Sequence, residues 1–256
     1  MNRRTFLAAT VTAAAASTLH AAEPAAPRCY ELRVYYAAEG KLDALNARFR
    51  DHTCALFTKH GMTNIGYWMP LENPERKLYY ILSFPDRKAR EASFKAFGDD
   101  PGWKETVAES EKDGKLVTKV ESTFLHTTDF SPRVKVEKKD PARVFELRTY
   151  TTSPGNLTRL HERFRNHTVA LFSKHGMEHF GYWALDKDQK GADDTLVYLL
   201  THKSKAASEA SFKAFRDDPD WVTARDASEK AAGGSLTVKD GVKSVLMAPT
   251  DYSPAK

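Results

Sequence analysis

Four histidines stand in two near-identical stretches, RFRDHTCALFTKHGM at 48–62 and RFRNHTVALFSKHGM at 163–177, which agree at 12 of 15 positions with a constant offset of 115. An imidazole titrates close to neutral pH, which suits it to moving a proton or binding a metal. Stepped at about 100° per residue from Phe49, the residues Leu42, Leu45, Leu56 and His60 fall within about 40° of it, and His52 at about −60°. Both rings therefore sit on or beside a buried helical stripe, flanked by Arg48 and Arg50. His167 and His175 follow by the offset. A ring on an apolar face needs a polar partner. Two readings of His52 and His167 remain: a core histidine bonded to a backbone carbonyl or a tyrosine, or a general base or ligand contact in a pocket between helices and sheet. His60 and His175 come just before a glycine stop, where a ring caps the last carbonyls and complements the helix dipole.

Metal chemistry finds little support. Eight helical residues separate His52 from His60 by roughly 12 Å of rise, whereas two ligands of one zinc each lie within about 2.1 Å of it. The chain has no cysteine cluster, H-E-x-x-H or C-x-x-C-H, so structural zinc and covalent haem lack a motif. No metal site and no cofactor are predicted, while noncovalent haem on a lone histidine stays open. G-x-S-x-G, phosphate-loop and dinucleotide patterns are missing as well. Enzyme chemistry is permitted by these residues but not indicated by them.

A second set of candidates lies on strands. In YELRVYY at 30–36, Glu31, Arg33 and Tyr35 alternate with Tyr30, Leu32 and Val34; FELRTYT at 145–151 places Glu146, Arg148 and Tyr150 alike. The period of two puts the charged residues on the face opposite the apolar one. That charged face is expected to point into a barrel formed by the two copies, where Glu and Arg either pair across strands or receive an anionic ligand. GYW at 66–68 and at 181–183 adds Tyr67, Trp68, Tyr182 and Trp183, as core or as pocket wall. The ligand-binding candidates are thus Arg33, Tyr35, Tyr67, Trp68, Arg148, Tyr150, Tyr182 and Trp183, with His52 and His167 as catalytic candidates.

The elements that must hold these residues repeat too. Each copy reads as an alternating strand, a helix over 41–60 stopped by Gly61, a short aromatic strand ended by Pro70, an apolar strand at 78–84, a helix broken at Asp99-Asp100, and a last strand near 116–125. Asp100 can cap a further helical turn with Pro101 in its first position. The order β-α-β-β-α-β is the ferredoxin-like unit, with helices on one sheet face only. Two such units packed sheet to sheet make an α+β barrel within one chain, each covering what the other would expose. With only two copies and a period above 100, this is a duplicated domain: 29–132, a connector at 133–143, and 144–254.

ELRVYY, FRDHTCALFTKHGM, IGYW, the apolar third strand and DDPGW together resemble the NIPSNAP domain, and the second copy repeats the set. The resemblance spans nearly all of 29–254. It implies the dimeric α+β barrel fold and little about chemistry, although the wider superfamily includes cofactor-independent monooxygenases and haem-dependent enzymes.

Residues 1–22 read as a signal peptide, with Arg3-Arg4 before Phe6 and Leu7 in the manner of a twin-arginine leader. The expectation is a bacterial protein exported to the periplasm or beyond, a location that departs from the mitochondrial one of animal members. Removing those two arginines lowers the formal charge from +5 to +3, too weak to argue for a nucleic-acid partner. No later apolar run reaches the roughly 18 residues of a membrane span. Cys29 and Cys54 allow a disulfide in an oxidising compartment, yet Val144 and Val169 replace them in the second copy and point to apolar packing. The expected function is binding of a small organic ligand in helix–sheet pockets. The alternatives are a monooxygenase-like enzyme with a histidine base and a non-catalytic structural or interaction module.

Overall fold

The computed structural model describes residues 28–256. The leader expected at 1–22 lies outside the described residues. The first half runs β1 (Cys29–Ala37), α1 (Leu42–Arg48), a π-helical turn (Phe49–Thr53), α2 (Cys54–Lys59), β2 (Thr63–Pro70), β3 (Lys77–Phe84), α3 (Arg87–Asp99), α4 (Pro101–Ser110) and β4 (Val117–Thr127). The second repeats it as β5 (Val144–Thr152), α5 (Leu157–Arg163), a π-helical turn (Phe164–Thr168), α6 (Val169–Lys174), β6 (Glu178–Leu185), β7 (Thr195–His202), α7 (Lys205–Asp217), α8 (Pro219–Ala232) and β8 (Thr237–Pro249). The predicted cap is present: Asp100 accepts a hydrogen bond from the Gly102 amide at 2.8 Å and Pro101 opens α4, with Asp218 doing the same for α8.

Eight strands close into one barrel in the order β1-β3-β2-β8-β5-β7-β6-β4. Each half contributes a ferredoxin-like sheet, and the two antiparallel seams, β2 with β8 and β4 with β6, pair three positions each. The helices lie outside the barrel, over two separate aromatic layers.

The two faces of β1 and β5 are reversed from the expectation. Tyr30, Leu32, Val34 and Tyr36 fill the barrel interior with Trp68, Trp183, Phe145 and Phe180. Glu31, Arg33 and Tyr35, with Glu146, Arg148 and Tyr150, point instead at the helices. The barrel interior is closed on all sides by sheet and can offer no compensation for a buried charge. The helix layer can: Arg90 of α3 holds both Glu31 oxygens at 2.8 Å, Arg33 reaches it at 2.5 Å and Ser122 at 2.6 Å.

Each half also closes the other. Tyr252, after β8, packs into the helix–sheet layer of the first half, and Phe130, after β4, into that of the second. Ser253 and Ser131 accept the amides of Tyr67 and Tyr182 at 2.9 and 3.0 Å. Asp251 grips Arg50 through two bonds, as Asp129 grips Arg165. The repeated T-D-F/Y-S-P is thus a reciprocal clasp. Val134 of the 133–143 connector packs on the barrel core, the Lys139 amide donates to the Lys256 carbonyl, and the Lys256 amide donates to the Glu137 carbonyl.

Candidate functional site

The two catalytic candidates are displaced from the buried stripe by a local irregularity in the helix. The Cys54 amide bonds to the Phe49 carbonyl and the Val169 amide to the Phe164 carbonyl, five residues back in each case. Over such a turn each residue advances less than 100°. His52, three steps past Phe49, stops short of the stripe and is exposed, as is His167. Thr53 and Thr168 take the buried position, and their hydroxyls donate to the carbonyls of Arg48 and Arg163 at 3.1 and 3.2 Å. Neither imidazole has a hydrogen-bonding side chain or an ion-pair partner among the described residues.

The pocket expected between helices and sheet is filled. In the first half Tyr35, Phe49, Phe57, Tyr67 and Tyr80 pack ring against ring, and Tyr150, Phe164, Phe172, Tyr182 and Tyr198 do so in the second. Arg33 bonds Glu31, Tyr35 and Tyr80, and Arg148 bonds Glu146 and Tyr150, so these polar candidates serve one another. Tyr67 and Trp68 do not form one wall: Tyr67 faces the helices and Trp68 the barrel, and Tyr182 and Trp183 divide likewise. Cys29 and Cys54 are free thiols in the helix–sheet layer, each pushed up to about 11 by burial. No group of three metal-ligating side chains converges among the described residues.

Open space lies instead on the outside, between the kinked helix and the last helix of each half. In the first, a cleft of about 840 Å³ is lined by Ala44, Arg48, Asp51, His52, Glu105 and Ser110, among others. In the second, two adjoining lobes of about 240 and 490 Å³ share Asn166, His167, Ala224 and Ala227. Most lining positions of the two sites correspond along the repeat. Each has a buried arginine at its inner wall, Arg48 or Arg163, both 6% exposed. Arg48 stacks on Trp103 at 5.3 Å and Arg163 on Trp221 at 5.1 Å. His52 and His167 therefore do share a site with an arginine, though on the outer surface. The arginines and tryptophans escaped sequence reasoning as site residues. The one signal was that Arg48 flanks the core stripe in a segment repeated intact.

Two other histidine arrangements have the look of catalytic pairs. In the second half Ser173 Oγ lies 2.7 Å from His179 Nε2, and His179 Nδ1 lies 2.6 Å from the Tyr182 hydroxyl. Buried Tyr182 has only that nitrogen to receive its proton, so Nδ1 accepts, Nε2 donates to Ser173, and the serine hydroxyl turns to the Val169 carbonyl at 3.4 Å. That tautomer cannot activate the serine. Asn64 does the same work between Thr58 and Tyr67 in the first half. His60 and His175 contact Asp100 and Asp218 at 2.7 and 2.6 Å; lysine and histidine bonds hold these capping carboxyls well below the usual range. They fasten the end of α2 to the start of α4, and the end of α6 to the start of α8.

The comparisons agree with this architecture. A Lactobacillus acidophilus structure provisionally assigned as a monooxygenase aligns over 87% of this chain and 94% of its own, with a TM-score of 0.56 at 11% identity. A Fusobacterium nucleatum structure with the same provisional assignment gives 0.56 at 12%, over 87% and 92%. At such identities the likeness is one of fold. A Burkholderia xenovorans NIPSNAP-like domain protein covers 41% of this chain and 89% of its own, at 19% identity and a TM-score of 0.37. No curated protein matches. The NIPSNAP family model matches at 30–132 and again at 145–254. Both halves of the barrel are matched, and the chain belongs to the NIPSNAP family as a tandem pair of its domains.

Proposed function

We propose that this NIPSNAP protein binds a small organic molecule in its outer grooves and acts as a binding protein rather than a catalyst. One observation carries the reading: an arginine and a histidine recur in the corresponding grooves of both halves, each arginine stacked on a tryptophan outside the groove lining, while the barrel and both helix–sheet layers are filled with side chains. Base catalysis by His52 or His167 has less support, because a general base is normally oriented by a second hydrogen bond and neither ring has a side-chain partner among the described residues. The leader-like residues 1–22 further support export across a bacterial inner membrane, and Arg3→Lys with Arg4→Lys should retain the precursor in the cytoplasm.

The test is native mass spectrometry of mature protein recovered from its own compartment, followed by NMR of the His52 and His167 rings during a fragment titration. Retained organic mass, or saturable shifts at either ring, agrees with the proposal. An apo mass together with rings that no fragment moves would refute it.

A further inference from the structure

Corresponding positions of the two grooves differ in net charge: Ala47 and Gly102 of the first are answered by the acids Glu162 and Asp220 of the second, but the other exchanges outweigh them. Asp51 is answered by Asn166, Glu105 by Thr223, Glu109 by Ala227 and Ala44 by Arg159. The first groove sets Arg48 against three carboxylates. The second sets Arg159 and Arg163 against Glu162 and Asp220, and Asp220 is already engaged by Lys174 at 3.1 Å.

The buried arginines diverge in the same sense. Arg48 Nη1 holds Glu111 at 2.8 Å and Ser110 at 3.3 Å. Arg163 Nη1 keeps the serine contact, to Ser228 at 3.3 Å, but its glutamate, Glu229, stands off at 3.6 Å. Burial pulls the Arg163 guanidinium below its ordinary value, with Glu229 only partly opposing it. In both residues Nε is buried without a partner, and Nη2 makes no hydrogen bond to a described residue. With Nε sealed from the groove, Nη2 is the guanidinium donor left to meet an anion there. Beside Arg163 the groove offers Arg159, Asn166 and His167 as polar neighbours, with Ala224, Ala227, Ala231 and Leu171 as an apolar floor.

We infer that the second groove is a site for a short-chain monocarboxylate, its carboxylate at Nη2 of Arg163 beside Arg159 and its apolar body on the alanine floor, and that the acidic rim of the first groove rejects the same molecule. This rests on the reading of the grooves as binding sites. It makes the duplicated chain functionally one-sided, with a single carboxylate per protein.

Sodium butyrate titrated into the full mature chain at constant ionic strength, read by NMR, should shift His167, Asn166 and Ala227 with a stoichiometry of one and leave His52 still. Asn166→Asp with Ala227→Glu copies the first groove's carboxylates onto exposed positions and should weaken butyrate at least about tenfold; its melting curve verifies folding without touching Arg163. Asp51→Asn with Glu109→Ala should create a second butyrate site at His52. Undiminished affinity in the first variant, or equal binding at both grooves of the wild type, overturns the carboxylate assignment. Butylamine serves as the matched cation: if it moves the groove resonances and butyrate does not, the grooves stand and the carboxylate falls. Silence to both probes removes the carboxylate and counts against the grooves themselves.

Discussion

The clearest divergence between the halves at single residues is in how a buried glutamate is held. Glu31 is fully buried and takes both forks of Arg90. Glu146 occupies the equivalent place, but Ser208 replaces Arg90 and His202 replaces Phe84; Arg148, Ser208 and Ser244 bond its carboxylate, and His202 Nε2 approaches it at 2.9 Å without the alignment of a hydrogen bond. Burial raises the Glu146 carboxyl, and His202, Arg148 and Ser244 more than offset it, bringing it down to about 2. A carboxyl depressed in the folded state contributes stability above its unfolded value, and that contribution disappears as pH falls through the folded one. Glu146→Gln should cost roughly 3 kcal/mol at neutral pH and flatten the acid limb of the stability curve between about pH 4.5 and 2. Urea melts of wild type and variant across that range would show it; parallel curves would mean that the pair is energetically silent. By contrast His52→Ala and His167→Ala, at exposed positions without partners, should alter stability by less than about 0.5 kcal/mol while changing whatever binds the grooves.

At the scale of elements, β2 and β6 each need a glycine. Both carry a register shift, between Asn64 and Gly66 and between His179 and Gly181, and the tryptophan two residues on folds back across the glycine. A methyl group at Gly66 would overlap the Trp68 ring, and one at Gly181 the Trp183 ring. Gly66→Ala should destabilise by about 1–3 kcal/mol through overpacking. Adding Trp68→Phe should restore part of the loss, since it removes the atoms that clash, and a double-mutant cycle on thermal melts gives the coupling. Helix caps are the milder case. Ser204 opens α7 by accepting the Ala207 amide at 3.1 Å, so Ser204→Ala should cost about 1 kcal/mol, and a loss indistinguishable from zero would show α7 held by packing of Phe212 and Phe215 alone.

For the whole molecule, the clasp means that neither repeat is complete without the other. Tyr252 belongs to the second repeat yet packs among Phe49 and Tyr67 of the first, with its hydroxyl donating to Asn46 at 2.7 Å. Tyr252→Ala should cost about 3 kcal/mol, and hydrogen exchange should quicken in α1, α2 and β2 before it does in α5 or α6. Equal quickening in both halves would contradict local clasping. The shared barrel core has a larger consequence: thermal unfolding should be a single transition, because separating the halves would uncover the interior of Tyr30, Trp68, Phe145 and Trp183 to water. Two resolved transitions in calorimetry would show that the halves fold independently.

Much of this was legible in the amino-acid order. The duplication, the β-α-β-β-α-β sequence, the α4 cap at Asp100 and the family resemblance all depend on local pattern, on periodicity and on a motif said twice, which neighbours in the chain define by themselves. Tertiary structure alone decided which face of β1 and β5 turns inward, because a period of two names two faces without saying which one meets helices that can neutralise a glutamate. It also decided the place of His52 and His167, since a π turn differs from an α turn by one residue's advance and carries no reliable mark in composition. The groove arginines were hidden for the same reason. Arg48 and Arg163 become a site only when α4 and α8 are folded against them, and their unequal distances to Glu111 and Glu229 exist only in three dimensions.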